Sequence, residues 1–229
     1  MYKVLITTSG TGSRLWEMTK ETNKSLLPLG NKLIISHLID SYPVDIPIVL
    51  TVGYFGQKVI EETKKLYPNR DITFVAIDKY EWPGSSLAYS MLQAKDQLQC
   101  PFIFHACDTI TKFKIPSVEY NRVIWYDFAD STQYTTFNVD WEYVKNYNKW
   151  KWAKEFDYVH IGLVGIYDYK DFWKELWDLY VTDINNWSLN DVVALSAMID
   201  KWIKIKYFAI NDWLDTGNLE AFAHAQKNI

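Results

Sequence analysis

The chain has 229 residues and a net charge of −4 at pH 7, with 48% hydrophobic and 23% charged residues, a balance that excludes general disorder and fits one large domain. The acidic charge argues against a broad basic face for nucleic acid, and apolar runs such as residues 46–52 fall far short of the roughly 20 residues that span a bilayer. One number is unusual: 17% of residues are aromatic, including 11 Trp and 16 Tyr.

Met1-Tyr2-Lys3 runs straight into the strand-like stretch Tyr2–Thr7, without the basic and apolar regions of a secretory signal, so a cytoplasmic location is expected. A Gly/Ser/Thr turn follows at residues 8–14. Apolar spacing then predicts a helix over Leu33–Ile39, a β-branched strand over Ile46–Val52, a helix over Gln57–Leu66 and a strand over Asp71–Ile77. Gly84 opens a helix through Leu87, Met91 and Ala94, and Pro101–Ala106 is the next strand. Strands alternating with helices of this length imply βαβ units and a parallel sheet covered on both faces. In the second half, Arg122–Tyr126, Gln133–Val139 and Ile205–Ile210 read as strands. Val159–Asp168 reads as a strand broken by Gly162 and Gly165. Helices are expected over Lys170–Tyr180, Asn190–Ile203 and Asn218–Lys227. No repeat or linker divides the chain, which predicts one domain over residues 1–229.

Cys100 and Cys107 flank an apolar run without CxxC spacing and read as buried thiols, with a disulfide or metal pair as the alternative. His37, His105, His160 and His224 are too dispersed for a metal site. His105, inside a strand, reads as a hydrogen-bonded core residue. The run Trp141–Trp152 interleaves aromatics with lysines, as single-stranded nucleic-acid binders do. On an acidic protein, a substrate lid or an oligomer contact fits it better, and no nucleic-acid or membrane partner is expected.

The first strand feeds Gly10-Thr11-Gly12-Ser13-Arg14. Glycines directly after a strand let backbone N–H groups approach a phosphate closely. Leu15 breaks the dinucleotide pattern G-x-G-x-x-G, and no Gly-Lys-Ser/Thr completes a Walker A loop. A plain strand-to-helix turn is the simplest alternative. Arg14 at the mouth, and Lys24 wedged before Leu26-Leu27-Pro28, favour a phosphate site. Asp108 follows the strand at 102–106, at the sheet edge where open α/β proteins bind ligands, although it could cap a turn. Asp215, in Trp213-Leu214-Asp215-Thr216-Gly217, could cap the last helix. Two such carboxylates converging on one edge would suit a hard divalent cation that carries phosphate oxygens.

Together these segments resemble the sugar-phosphate nucleotidyltransferases. That family opens with Ala-Ala-Gly-x-Gly-Ser/Thr-Arg-Leu, then Pro-Lys-x-Leu-Leu-Pro-Val; here the segments read Thr8-Ser9-Gly10-Thr11-Gly12-Ser13-Arg14-Leu15 and Asn23-Lys24-Ser25-Leu26-Leu27-Pro28-Leu29. Trp82-Pro83-Gly84-Ser85-Ser86 looks like the family's base-reading segment. Cys107-Asp108 stands for its Gly-Asp, and Trp213–Gly217 matches its Trp-x-Asp-x-Gly. The resemblance implies a three-layer Rossmann-like (GT-A-type) α/β fold, with a mixed, mostly parallel sheet and helices on both faces. It divides the chain into a nucleotide-binding part near residues 1–115 and an acceptor-binding part near 116–229.

The implied reaction joins a nucleoside triphosphate to a sugar 1-phosphate or related phosphate monoester and releases pyrophosphate. The product would be an activated nucleotide-sugar for surface polysaccharide. Arg14 and Lys24 are the implied catalytic residues. Thr8, Ser9, Gly10, Thr11, Gly12, Ser13, Gly84, Ser85 and Ser86 are the implied nucleotide-binding residues, and Asp108 and Asp215 the ligands of Mg²⁺. The family's Glu-Lys-Pro segment has no clean match; Lys151 and Lys154 lie at about the right distance, with Lys154 preferred. Together with Gly165 of the Gly-Ile-Tyr strand it makes the implied acceptor site, while a solvated lysine is the alternative. The implied partners are a nucleoside triphosphate, a phosphorylated small-molecule acceptor and a second copy of the chain. A cytidylyltransferase of phosphocholine is the second reading. A nucleotide-sugar-dependent glycosyltransferase is a lesser one, because Asp108-Thr109-Ile110 lacks the Asp-x-Asp metal motif.

Overall fold

In the computed structural model, residues 2–81, 84–126, 133–148 and 153–229 are described. Trp82, Pro83, Trp150, Lys151 and Trp152 lie outside them. The chain begins with strand β1 (Lys3–Thr7), then the loop to a short helix α1 (Trp16–Thr19) and a hairpin of β2 (Pro28–Leu29) and β3 (Lys32–Leu33). Next come α2 (Ile34–Asp40), β4 (Ile48–Val52), α3 (Gly56–Leu66), β5 (Ile72–Ala76), α4 (Leu87–Ala94) and β6 (Phe102–Ala106). The second half carries β7 (Thr109–Ile110), β8 (Arg122–Tyr126), β9 (Thr136–Asp140), β10 (Tyr143–Tyr147) and β11 (Tyr158–Ile166). It continues with α5 (Tyr169–Thr182), α6 (Asp191–Asp200), β12 (Lys206–Ala209), β13 (Leu214–Asp215) and α7 (Leu219–Asn228).

Nine strands form one mixed sheet in the order β5-β4-β1-β6-β11-β8-β12-β10-β9. The four strands from the first half pair in parallel, and β11 joins them antiparallel to β6. Alternation sorts the side chains to two faces. Val4 and Ile6 point into a core with α2, α3 and α7, whereas Leu5 points into a second core with α4, α5 and α6. This is the three-layer arrangement, and the sheet runs through both halves of the chain. Helix starts follow local chemistry: the Ser86, Asn190 and Asn218 side chains accept bonds from Tyr89, Val192 and Ala221 N–H groups.

Several expectations are corrected. Strand β11 is not broken at its glycines. It bends at Gly162 (φ 72°), so its first residues pair with β9 and its last with β6 along the same edge. A Cβ on Gly162 would stand 2.7 Å from that of Ala106, so only glycine permits this approach. Part of the Trp141–Trp152 run is strand: Tyr143–Tyr147 pairs with β9 and β12 and buries Val144 and Tyr147. Both cysteines are free thiols, and Cys100 is only half-buried. The aromatics divide. Trp173 stacks on Phe102 and Trp125 on Tyr158, whereas Trp141, Trp187 and Trp202 stand exposed. Among the described residues no helix is long and apolar enough to cross a membrane.

Candidate active site

A cleft of about 450 Å³ opens where the carboxyl ends of β1 and β6 meet the start of α4. That size suits a small organic ligand. One side is the loop after β1. Gly12 takes φ 67° and its carbonyl accepts from Leu15 N–H at 2.8 Å, starting the turn that presents Arg14 and buries Leu15. A Cβ on Gly12 would meet Thr19 at 3.1 Å and Lys24 at 3.4 Å, whereas a Cβ on Gly10 would meet nothing within 4 Å. The backbone at Gly10 therefore faces the cleft bare. Thr8 and Ser9 are turned inward: Thr8 Oγ1 donates to Thr51 O at 2.7 Å, and Ser9 Oγ lies 3.0 Å from Ser90 Oγ on α4.

Asn23 ties this loop to the segment carrying Lys24. Its Nδ2 donates to Thr8 O at 2.8 Å and to Tyr54 O at 2.7 Å, and its Oδ1 accepts from Ser25 N–H and Ser25 Oγ. Every polar atom of this buried side chain is used. The sequence gives no hint of this, because the resemblance places Pro at that position.

Lys24, Arg14 and Asp108 form one cluster. Lys24 Nζ lies 3.3 Å and Arg14 Nη2 3.5 Å from Asp108 Oδ2. Burial disfavours charge on Lys24, but the Asp108 carboxylate beside it prevails and raises its pKa. For Asp108, burial is likewise outweighed by the two cations, and its pKa is lowered. His105, the core residue behind them, is hydrogen-bonded to Tyr42 Oη and Thr109 O, and burial lowers its pKa to about 4.

The second carboxylate reaches the same place by a two-stranded ladder. Asp215 pairs with Thr109, and Thr216 N–H donates to Asp108 O at 2.9 Å. Asn218, not Asp215, caps the last helix. Asp215 instead accepts from Tyr134 Oη at 2.8 Å and Gly217 N–H at 2.7 Å. Burial first, and the Asp108 charge second, raise its pKa. A Cβ on Gly217 would lie 2.9 Å from Asp215 Oδ1, 3.1 Å from Arg14 Nη2 and 3.3 Å from Asp108 Oδ2. Three charged groups thus converge on a point that only glycine leaves open. Among the described residues no group of three His, Cys, Asp or Glu side chains could hold a metal. Two carboxylates that both come within 3.3 Å of the position a Cβ on Gly217 would take do fit an Mg²⁺ ion that brings the rest of its oxygen shell as phosphate and water.

Of the residues singled out from the sequence, Thr8 to Arg14, Lys24, Ser85, Ser86 and Asp108 line this cleft, and Asp215 borders it through Gly217. Gly84 (φ 89°) is a turn residue beside the lining. Lys154 is exposed and Gly165 lies within β11; neither lines the cleft. A Cβ on Gly165 would stand 3.2 Å from Cγ of buried Arg122, so this glycine makes room for an arginine. Lys79, Tyr80, Ser90 and Trp187 join the lining without any motif to announce them. Lys79 and Tyr80 follow β5, in the same connection to α4 that carries Ser85 and Ser86.

No protein-family model matches the sequence. The bifunctional protein GlmU of Methanococcus vannielii is 28% identical over 107 residues, which are 46% of this chain and 24% of that protein. The chain thus spans about a quarter of the curated relative it matches. Solved structures align over its whole length. A Bacillus anthracis protein assigned as a glucose-1-phosphate thymidylyltransferase matches with TM-score 0.83 and 20% identity, over 100% of this chain and 95% of that one. The CTP:phosphocholine cytidylyltransferase of Streptococcus pneumoniae matches with TM-score 0.80 and 16% identity, over 99% and 98%. A UDP-glucose pyrophosphorylase matches with TM-score 0.80 and 15% identity, over 100% and 98%. The chain has the α/β fold of these nucleotidyltransferases.

Proposed function

We propose that the chain is a nucleotidyltransferase. An oxygen of a phosphate monoester, best read as a sugar 1-phosphate, attacks the α-phosphorus of a nucleoside triphosphate. The bond to the β-phosphate oxygen breaks, and pyrophosphate leaves. The nucleophile is already anionic, so the site needs no general base; it must align two anions and offset their repulsion. The convergence of Arg14, Asp108 and Asp215 around Gly217, with Lys24 paired to Asp108 and the bare backbone of Gly10 in the same cleft, is the observation that carries this reading.

In this reading, the N–H groups from Gly10 to Ser13 and the Arg14 guanidinium hold the triphosphate tail, where a planar fork matches phosphate oxygens. Lys24, kept charged by Asp108, sits between the reacting phosphates as a compact cation. Asp108 and Asp215 would hold Mg²⁺, which supplies charge neutralisation at the α-phosphate when bound. Ser85 and Ser86 face the nucleoside. Lys154, solvent-exposed in the second half, remains the proposed contact for the acceptor phosphate.

The test is a pyrophosphate-release screen that crosses ATP, GTP, CTP, UTP and dTTP with hexose 1-phosphates and phosphocholine in the presence of Mg²⁺. Turnover with a hexose 1-phosphate supports the sugar reading. Turnover only with phosphocholine corrects the acceptor. Absence of pyrophosphate from every pair overturns the activity.

A further inference from the structure

The turn between α5 and α6 brings Trp187 to the rim of the cleft, beside Lys79, Tyr80, Ser85 and Ser86. The indole is 68% exposed and has no ring or cation partner among the described residues. It is nevertheless not carried on a loose loop. Asn186 N–H donates to Asp183 O at 3.1 Å and Leu189 N–H to Asn186 O at 3.3 Å. Asn186 Oδ1 accepts from Ser188 N–H and Ser188 Oγ. Leu189 O accepts from Ala88 N–H at 3.0 Å, which locks the turn onto the first turn of α4, next to the Ser86 cap. A large apolar side chain is thus held in water at the mouth of a polar cleft, where it adds nothing to either core.

The cleft has two distinct ends. Leu15, Leu26 and Leu27, which flank Arg14 and Lys24, are buried in the core with α2 and α7. Leu189 and the α4 residues, which flank Trp187, are buried in the core on the opposite face of the sheet. Arg14 and Lys24 therefore lie at one end, and the indole stands at the other, on the side of Lys79, whose ammonium sits over the Tyr89 ring of α4. A triphosphate tail belongs with Arg14, Lys24 and the backbone N–H groups after β1, and the nucleobase then extends toward Trp187. Every base has a π-face, so an indole there recognises a base without reading its edge.

We infer that Trp187 stacks on the nucleobase of the bound triphosphate and closes the outer wall of the base subsite, a reading that rests on the proposed nucleotidyltransferase function. The test uses the full chain with Trp187→Ala and Trp187→Phe. Loss of one base stack raises the KM for each accepted triphosphate about tenfold in Trp187→Ala, while the acceptor KM and the saturated kcat stay within about twofold. Trp187→Phe recovers most of the loss, a pattern that a merely structural residue does not give. Tryptophan emission supplies a readout independent of turnover: CTP or UTP quenches the wild type more than inorganic tripolyphosphate at equal concentration, and Trp187→Phe removes that difference. Unchanged triphosphate KM in Trp187→Ala, or equal quenching by tripolyphosphate and nucleotide, overturns the inference. A wild type that releases no pyrophosphate overturns the function instead, and the quenching comparison still decides Trp187.

Discussion

Lys24 Nζ lies 3.3 Å from Asp108 Oδ2, and the two residues come from segments 84 positions apart in the chain. The bond joins the segment just before β2 to the end of β6, so the cation and the carboxylate each hold the other in charged form. Lys24→Met keeps the volume of the side chain and removes its charge. Turnover is expected to fall at least about a hundredfold, as for other groups that stabilise developing phosphate charge. The fold survives, because Arg14 still faces Asp108. Asp108→Asn behaves alike in turnover. Circular dichroism with pyrophosphate release checks both, and full activity in either variant removes these residues from the chemistry.

Asp215 is held against its preference. Its pKa is raised by burial and then by Asp108. In the window between the unfolded carboxyl value near 3.9 and the raised native value, the native chain keeps a proton that the unfolded chain has released. Stability therefore falls as pH rises through that window and stays lowered above it. Asp215→Asn removes the penalty and keeps its partners, since the Tyr134 hydroxyl can turn from donor to acceptor. Its urea midpoint at pH 7 is expected to exceed that of the wild type, with the gap closing at acid pH, while turnover is lost. A lower midpoint at pH 7 contradicts this account.

In the first half the sheet strands are short apolar runs and the longer helices have a clear stripe, so β1, β4, β5 and β6 appear within a residue or two of their expected places, whereas the four-residue α1 and the two-residue strands β2 and β3 are too short to leave a pattern. In the second half β8, β9, β11 and β12 also fall close to their expected places, whereas β10 and the two-residue strands β7 and β13 were hidden. In β10 the register shifts between Val144 and Asn146, so the alternation that would reveal a strand is broken within five residues. The cleft residues at 8–14, 24 and 108 could be picked out because glycines and charges at strand ends have few other uses. Asn23 and Trp187 could not: their roles depend on backbone groups of Thr8, Tyr54 and Ala88, which the chain brings near only by folding. Gly165 was assigned by likeness to a motif, and nothing local shows that Arg122 needs its space.

His105 makes the protein acid-sensitive. A single neutral tautomer serves both partners, with Nε2–H donating to Thr109 O and Nδ1 accepting from Tyr42 Oη. Burial lowers its pKa from 6.5 to about 4, so between those values the unfolded chain binds a proton that the native chain refuses. Stability then drops as pH falls from about 6.5 to 4, by up to about 3 kcal/mol from this residue. Urea unfolding across that range checks it. A His105→Gln variant is expected to lose that part of the slope.

Asn23→Ala leaves two carbonyls and the Ser25 N–H without their partner inside the protein. The expected cost is about 2–3 kcal/mol, read as a lowered urea midpoint. The same change frees the β1 loop from the Lys24 segment, so the KM for triphosphate is expected to rise as well. Asn23→Asp restores only the acceptor half of the network and is expected to be no better than Ala. A variant as stable as the wild type would show that water replaces these bonds.

Gly217→Ala separates chemistry from folding most cleanly. Its added methyl group would sit 2.9 Å from Asp215 Oδ1, 3.1 Å from Arg14 Nη2 and 3.3 Å from Asp108 Oδ2. The arginine is 61% exposed in its side chain and can swing into solvent, while Asp215 Oδ1, the nearest atom, must shift slightly, so the methyl displaces side-chain ends and not backbone. What is lost is the convergence of the three charged groups. Turnover is expected to fall at least about tenfold, in line with a misplacement of about 1 Å at a reacting centre. The thermal midpoint is expected to move by no more than a few degrees, as for a change below about 1 kcal/mol. Kinetics and melting on the same preparation give both numbers. An unfolded variant would place Gly217 in the structural frame, and wild-type turnover would place the reacting phosphates elsewhere in the cleft.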